Sequence, residues 1–114
     1  MTANRLNVVF MEEALRFIEA QPKSVGDKIY ENVHRIEQGE RNVKIFKKLI
    51  GTEIWEFRTL HSGKQYRLFA FWDTEADTLI VATHGIVKKT RKTPSKEITK
   101  AEKIRKEYFN EKRR

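Results

Sequence analysis

The chain has 114 residues, 39% of them hydrophobic and none of them cysteine, so we expect one domain over residues 1–114 with no disulfide framework and no thiolate metal site. The 24 Lys and Arg exceed the 16 Asp and Glu by eight, and so basic a domain attracts polyanions, above all nucleic acid. No apolar run is long enough for a membrane span and no secretory signal is visible, so we expect a cytoplasmic protein without a membrane partner.

The N-terminal part predicts a strand and two helices. Residues 6–11 are short, apolar and rich in β-branched side chains, which favours a strand. From Met11 the apolar residues recur at helical spacing until Pro22, which ends the first helix. Ser24, three residues before an aspartate, resembles a capping box, and Gly39 is a natural stop for the second helix.

The middle of the chain predicts a three-stranded meander. Residues 40–52 are expected to be a connection. Residues 53–60, 65–72 and 78–83 alternate or mass apolar side chains as strands do, and the polar segment 61–64 is a hairpin loop. In the first of these strands the alternation sends Trp55 and Phe57 to the core, which places Glu56 and Arg58 together on the opposite face.

The C-terminal part predicts one more helix, with Thr93 as its cap and Pro94 in its first turn. The order is therefore β-α-α-β-β-β-α. We expect an α+β fold in which helices pack mainly on one face of an antiparallel meander sheet and the N-terminal strand pairs at an edge.

A run of basic residues between this sheet and the last helix is the main candidate for binding RNA. No acidic residue interrupts residues 84–96, whereas a solubilising surface usually mixes both signs. Lys64, in the hairpin loop, is grouped with this run. The predicted RNA-binding residues are Lys88, Arg91, Lys92, Lys96 and Lys64, with Lys89 inside the same run.

The chemistry that these residues favour is cleavage of RNA without a metal or other cofactor. The three histidines are dispersed, and no phosphate-binding glycine loop or nucleophile elbow is visible. RNA supplies its own nucleophile, the 2′-hydroxyl, so an enzyme needs only a base, an acid and cations for the phosphate.

Four side chains of the predicted sheet are candidates for this work. Arg58 and Arg67, on neighbouring strands, can converge on a phosphate, and the planar Arg67 guanidinium can form bidentate hydrogen bonds to two of its oxygens. His84 and Glu56 are the nearest proton carriers, and a lysine with a lowered pKa is another. The plainer alternatives are that Arg58 and Glu56 form a surface ion pair and that His84 is an edge histidine.

Four stretches of the chain resemble the phage-derived, HigB-type branch of the RelE superfamily, toxins of type II toxin–antitoxin pairs. The stretches are Ile-Trp-Glu-Phe-Arg at 54–58, Tyr-Arg-Leu at 66–68, His84-Gly85, and the basic segment 88–94. The resemblance covers nearly the whole chain. It implies an endoribonuclease that cuts mRNA on the translating ribosome, without metal. It also implies a cognate antitoxin, expected to be a helix-turn-helix protein, through which operator DNA is contacted only indirectly.

The resemblance also implies roles for individual residues. Arg67 matches a position that the family uses on the scissile phosphate, and Lys89 falls where RelE has a functional arginine. Arg58 and Lys88 are further matches. RelE has a functional tyrosine shortly after its basic loop, where this chain has Ser-Lys-Glu at 95–97. The base and acid must therefore differ, and His84 or a lysine would have to substitute.

Two other functions remain open at this point. One is a ParE-like toxin that binds DNA gyrase and cuts nothing, and the other is an RNA- or ribosome-binding module without activity. Expression of the protein alone distinguishes them, because only an mRNA-cleaving toxin would arrest growth and leave cut transcripts.

Overall fold

A computed structural model describes residues 5–76, 78–89 and 91–113. Within these ranges, three helices and one five-stranded sheet account for the regular structure. In chain order the elements are β1 (Asn7–Phe10), α1 (Glu12–Glu19), α2 (Lys23–Glu37), β2 (Phe46–Lys48), β3 (Trp55–His61), β4 (Lys64–Trp72), β5 (Leu79–Lys88) and α3 (Ser95–Lys112). The predicted α+β class and the order of the longer elements are confirmed.

The sheet has the spatial order β1-β5-β4-β3-β2. The β3–β4–β5 meander is antiparallel, as predicted, and β1 adds to one edge in parallel with β5. Ser62 and Gly63 connect β3 to β4 with φ angles of 49° and 76°, which is the two-residue hairpin turn that suits the twist of antiparallel strands.

The segment predicted as a plain connection, residues 40–52, contains the additional edge strand β2. Phe46 is 7% exposed and pairs with Phe57 of β3. Its ring stacks on those of Trp55 and Phe57 at centroid distances of 4.7 and 4.3 Å. A three-residue strand is too short to show a periodicity in sequence, so this pairing is decided by the burial of one aromatic ring.

Both predicted N-terminal caps are wrong. Ser24 lies inside α2, whose N-cap is Pro22, and α3 has its N-cap at Pro94; neither cap position has a side-chain hydrogen bond. Proline already has the backbone φ that a helix start needs, so each helix begins directly after it. The Thr93 hydroxyl is therefore available for another partner.

Helices cover both faces of the sheet, two on one face and one on the other. Apolar side chains of α1 and α2, including Ile18 and Ile29, share one core with Phe57 and Leu68. The longest helix, α3, packs Ala101 and Phe109 on the opposite face against Phe69, Phe71 and Val81. No helix in the described ranges is long and apolar enough to cross a bilayer.

A bulge in β5 and a close helix contact fix the part of the sheet that carries the polar residues. The register between β4 and β5 shifts between Phe69 and Ala70, so that Phe69 lies opposite His84. At the next residue, Gly85, an added Cβ would come within 2.3 Å of the Phe17 ring of α1. Only glycine lets α1 approach β5 this closely, which accounts for the His84-Gly85 step.

Candidate active site

Two arginines meet directly across the β3–β4 pair. Arg58 and Arg67 are cross-strand partners on the two neighbouring strands predicted to carry them. Arg67 is only 3% exposed, and 29% of the Arg58 side chain remains accessible. Like charges opposite each other repel, so this pair requires a counter-ion.

Glu56 supplies that negative charge. Its Oε1 lies 3.4 Å from Arg67 Nε and 3.6 Å from Arg58 Nε, and the carboxylate is 2% exposed. Its Oε2 accepts a hydrogen bond of 2.9 Å from the Thr93 hydroxyl. One carboxylate thus faces two guanidinium groups, so the three side chains together carry a net positive charge. Neither arginine Nε has a hydrogen-bond partner within the described part of the chain.

Lys88 belongs to the same charged group. Its pKa lies below the usual lysine value because burial disfavours the ammonium form and the charges of Arg67, Arg58 and Lys47 add to that effect, while Glu56 opposes it. Burial also lowers the pKa of Arg67, with Glu56 opposing the shift and Arg58 adding to it. A guanidinium nevertheless stays protonated at neutral pH.

A cavity of about 380 Å³ opens at this group, and we call it the arginine pocket. Its lining residues are Arg58, Gly63, Gln65, Arg67, Lys88, Lys89 and Arg91. The Gln65 side-chain oxygen accepts a hydrogen bond from Arg67 Nη2. A phosphate that reached Arg67 would have to take the place of that amide oxygen.

His84 is held outside the arginine pocket, under the start of α3. It is 1% exposed, its Nδ1 lies 2.9 Å from the Thr83 hydroxyl and its Nε2 lies 3.1 Å from Glu97 Oε1. Burial and the nearby Lys100 lower the pKa of the imidazole, and Glu97 opposes the shift. This is a satisfied histidine that joins the sheet to α3, so a direct proton transfer by His84 to a substrate stays a prediction without geometric support.

The remaining sequence candidates surround the arginine pocket at different distances. Lys64 is an exposed residue at the hairpin end of β4, while Lys92 precedes α3 and Lys96 lies in its first turn; these three lysines do not line the pocket. Gln65 and the hydrogen bond from Thr93 to Glu56 were not identified from the sequence.

Among the described residues, no three His, Asp or Glu side chains are grouped so that they could hold a metal ion.

The comparisons with known proteins agree with this fold. The family model described as "Phage derived protein Gp49-like (DUF891)" matches residues 16–106, and the chain belongs to that family. No curated protein sequence matches the chain. The predicted resemblance to RelE toxins is confirmed at the level of the fold, whereas membership of the HigB-type branch stays a prediction.

Two solved structures with a similar fold are RelE toxins. A mutant of the E. coli toxin RelE in the free state has a TM-score of 0.57 and 17% identity, over 71% of this chain and 81% of that one. The RelBE2 toxin–antitoxin complex from Mycobacterium tuberculosis has a TM-score of 0.54 and 19% identity, over 74% of this chain and 99% of the matched chain. At these identities the likeness shows the fold alone.

Proposed function

We propose that this protein is the toxin of a type II toxin–antitoxin pair and that it is an endoribonuclease. The observation that carries the proposal is the arginine pocket, in which Arg58 and Arg67 face each other with one shared carboxylate. Such a site has surplus positive charge for the dianionic phosphorus centre that forms when a 2′-hydroxyl attacks.

In this proposal the arginines hold the scissile phosphate. Arg67 exchanges its bond to Gln65 for a phosphate oxygen, and Arg58, which is more accessible, binds a second oxygen. Glu56 is too enclosed to meet the substrate, because both of its oxygens already face protein groups. Its role is to fix the direction of the two guanidinium groups.

The proton transfers fall to lysines. Lys88 is the proposed base for the 2′-hydroxyl, because it lines the pocket and burial among neighbouring cations lowers its pKa, which favours the neutral amine. Lys89, which also lines the pocket, is the proposed donor to the leaving 5′-oxygen. His84 and Glu97 position the start of α3, and Arg91, Lys92, Lys96 and Lys64 guide the strand electrostatically.

The finer parts of the proposal concern the setting of the reaction. We propose that the substrate is mRNA on the ribosome, that cleavage is independent of metal and that a cognate antitoxin silences the toxin. The RelBE2 complex, in which a toxin of similar fold is bound to its antitoxin, supports the last of these points. The opposed arginines favour RNA cleavage over a ParE-like gyrase inhibitor, which needs no phosphate site.

The chemical test is to map the ends of the cleaved RNA. Purified protein acts on ribosome-bound mRNA that carries either a normal or a 2′-deoxy nucleotide at the scissile position. We expect a 2′,3′-cyclic phosphate or 3′-phosphate end on the normal substrate and no cut on the deoxy substrate. Ends with a 3′-hydroxyl and a 5′-phosphate, or cutting at the deoxy position, would refute the 2′-hydroxyl mechanism.

Arg67→Lys is the matched variant for this assay, with Arg16→Lys as its control. Lysine keeps the positive charge beside Glu56 but cannot form the bidentate hydrogen bonds of a guanidinium. We therefore expect an intact fold and a cleavage rate that is lower by a factor of about 10²–10³. The Arg16 side chain is 72% exposed on α1, outside the pocket, so its replacement should leave the rate unchanged.

A further inference from the structure

A second groove adjoins the arginine pocket. It has a volume of about 410 Å³ and shares Arg58, Gln65 and Arg67 with that pocket. We call it the α2 groove. Its other walls are formed by one side of α2, the segment before β2 and the end of β3, and the residues used below are Lys28, Asn32, Arg35, Lys44 and Leu60.

Asn32 lines this groove and has a buried hydrogen-bond acceptor without a partner among the described residues. The side chain is 2% exposed, and its Nδ2 donates to Thr59 Oγ1 at 3.1 Å and lies 3.4 Å from the Arg58 carbonyl oxygen. A carbonyl oxygen can only accept, so the amide nitrogen must face it and the amide cannot be turned round. The Oδ1 atom, which has no partner in the described part of the chain, is therefore the free one.

The walls of the α2 groove suit a flat ring. Arg35 is held by Glu40 through two bonds, 2.8 Å from Nε and 2.6 Å from Nη2, which fixes the plane of its guanidinium. Leu60, which also lines the groove, is apolar and 65% exposed. A nucleobase can stack on a guanidinium plane and pack against such an aliphatic side chain.

The rim of the α2 groove is cationic. Lys28 forms a 2.7 Å pair with Glu31 that is open to solvent and therefore easily exchanged for a phosphate. Within the described ranges no ion pair joins Lys44 to a carboxylate. Two lysines at the mouth and two arginines at the shared wall can bind consecutive phosphates of one strand.

We propose that the α2 groove is a nucleotide subsite that binds the base next to the scissile phosphate and prefers a base with an amino group. Asn32 Oδ1 accepts from the exocyclic amino group of adenine, cytosine or guanine. Uracil has no amino group, and its one base donor, N3–H, lies between two carbonyl oxygens that Oδ1 repels. Lys28 and Lys44 bind the flanking phosphate. The inference rests on the proposed function, because it takes the phosphate in the arginine pocket as the neighbouring group.

The test uses single-stranded pentanucleotides with 2′-fluoro sugars, which lack the attacking hydroxyl and so report on binding without cleavage. We expect pentanucleotides of A or C to bind the wild-type protein roughly two- to tenfold more tightly than those of U, the worth of one hydrogen bond. In the NMR spectrum of the same protein, the Asn32 side-chain amide should shift with A or C and stay in place with U.

A pair of double variants tests the rim. Lys28→Ala/Lys44→Ala should weaken binding and make the slope of log affinity against log salt shallower by about 0.7 for each phosphate that the variant no longer binds. The control, Lys23→Ala/Lys48→Ala, removes the same charge from residues that do not line the α2 groove and should change neither quantity as much. Equal effects of the two variants would overturn the proposal.

The remaining outcomes separate this inference from the proposed function. If Arg67 and Lys88 signals shift with the pentanucleotide and Asn32 does not, the arginine pocket stands and the α2 groove is refuted as a subsite. If Asn32 shifts and no RNA is cut in the ribosome assay, the subsite stands and the endoribonuclease is refuted. A shift of Asn32 with an acidic peptide alone would make the α2 groove a protein-docking surface and overturn the nucleotide assignment.

Discussion

A lysine among other cations is costly to protonate, and Lys88 is in that position. Burial and the charges of Arg67, Arg58 and Lys47 all lower its pKa, and only Glu56 opposes them. A base must be neutral to accept a proton, so each of these neighbouring cations increases the fraction of Lys88 that is ready to react at neutral pH. At the scale of single residues, the arrangement that binds the phosphate is also the one that prepares the base.

The pH dependence of cleavage tests this role for Lys88. The neutral fraction rises with pH, so the single-turnover rate of the wild-type protein should rise as the pH approaches the lowered pKa and then level off. Lys88→Arg keeps the charge but stays protonated, and we expect a rate lower by about 10²–10⁴ with that rise abolished. Lys64→Arg, at the exposed hairpin end, is the control. An unchanged profile in Lys88→Arg would assign the base to another group.

Among the elements of the fold, α3 is attached to the sheet at both of its ends by polar contacts. At its start Thr93 donates to Glu56, and His84 meets Glu97. Near its C-terminal end Tyr108 and Lys112 both contact Asp73, each at 2.6 Å. The first attachment involves the active site and the second does not, so the two can be tested separately.

Thr93→Val removes the attachment that involves the active site. It keeps the shape of the side chain and deletes the donor to a buried carboxylate, which should cost about 1–3 kcal/mol of unfolding free energy. With Glu56 released from one side, the arginines lose their alignment, and we expect cleavage to slow about tenfold. Thr93→Ser retains the hydroxyl and should restore both values. A lower melting temperature with an unchanged rate would show that Thr93 acts on stability alone.

The second attachment should weaken in acid. Burial alone would raise the pKa of Asp73, but hydrogen bonds from Lys112, Tyr108 and the Glu75 amide outweigh it and lower the pKa from 3.8 to about 2. A lowered folded-state pKa stabilises the protein above pH 4, and that stabilisation is lost as the pH falls through about 2.

Hydrogen exchange of the α3 amides between pH 5 and 2, with the intrinsic rates subtracted, measures this loss. We expect the free energy of opening the last turns of α3 to be lower at pH 2 than at pH 5, by at most about 2 kcal/mol. In Asp73→Asn the same amides should be less protected at pH 5 and should show little further change. A wild-type profile in that variant would place the acid sensitivity elsewhere.

At the scale of the whole molecule, the net charge of +8 predicts a strong salt dependence. Each phosphate that a lysine or arginine neutralises releases counterions. For single strands, each such contact adds about −0.7 to the slope of log affinity against log salt. Filter binding of a single-stranded RNA to the Arg67→Lys protein is measured at several salt concentrations. We expect a plot of log affinity against log salt to have a slope of about −3 or steeper. A flat dependence would mean that the basic run from Lys88 to Lys96 does not bind the strand.

The part of the fold that sequence could predict is the part that depends on local pattern. Alternation in β3 and β4 fixes the face of each strand on which Arg58 and Arg67 lie, because the period of a strand is fixed by its backbone. The register that places them opposite each other is set by the hairpin turn. The pairing of β2, the parallel direction of β1 and the face on which α3 packs depend on distant partners. Thr93 shows the same limit. Its hydroxyl donates to the buried Glu56 carboxylate and does not cap α3, because a buried carboxylate without a donor is more costly than an exposed helix start without a cap. Only the folded chain brings Glu56 close to Thr93.

The parallel pairing of β1 with β5 has a consequence for the time at which the protein becomes complete during synthesis. Asn7, near the beginning of the chain, pairs with Leu79, far along it. The chain must therefore be synthesised at least as far as β5 before this sheet edge can close, and such distant closure is slow. The pairing of β1 and the α1 contact at Gly85 both require β5. The arginine pocket depends on the same strand, because Lys88 at the end of β5 lines it, so a nascent chain that has not reached Lys88 has no complete arginine pocket.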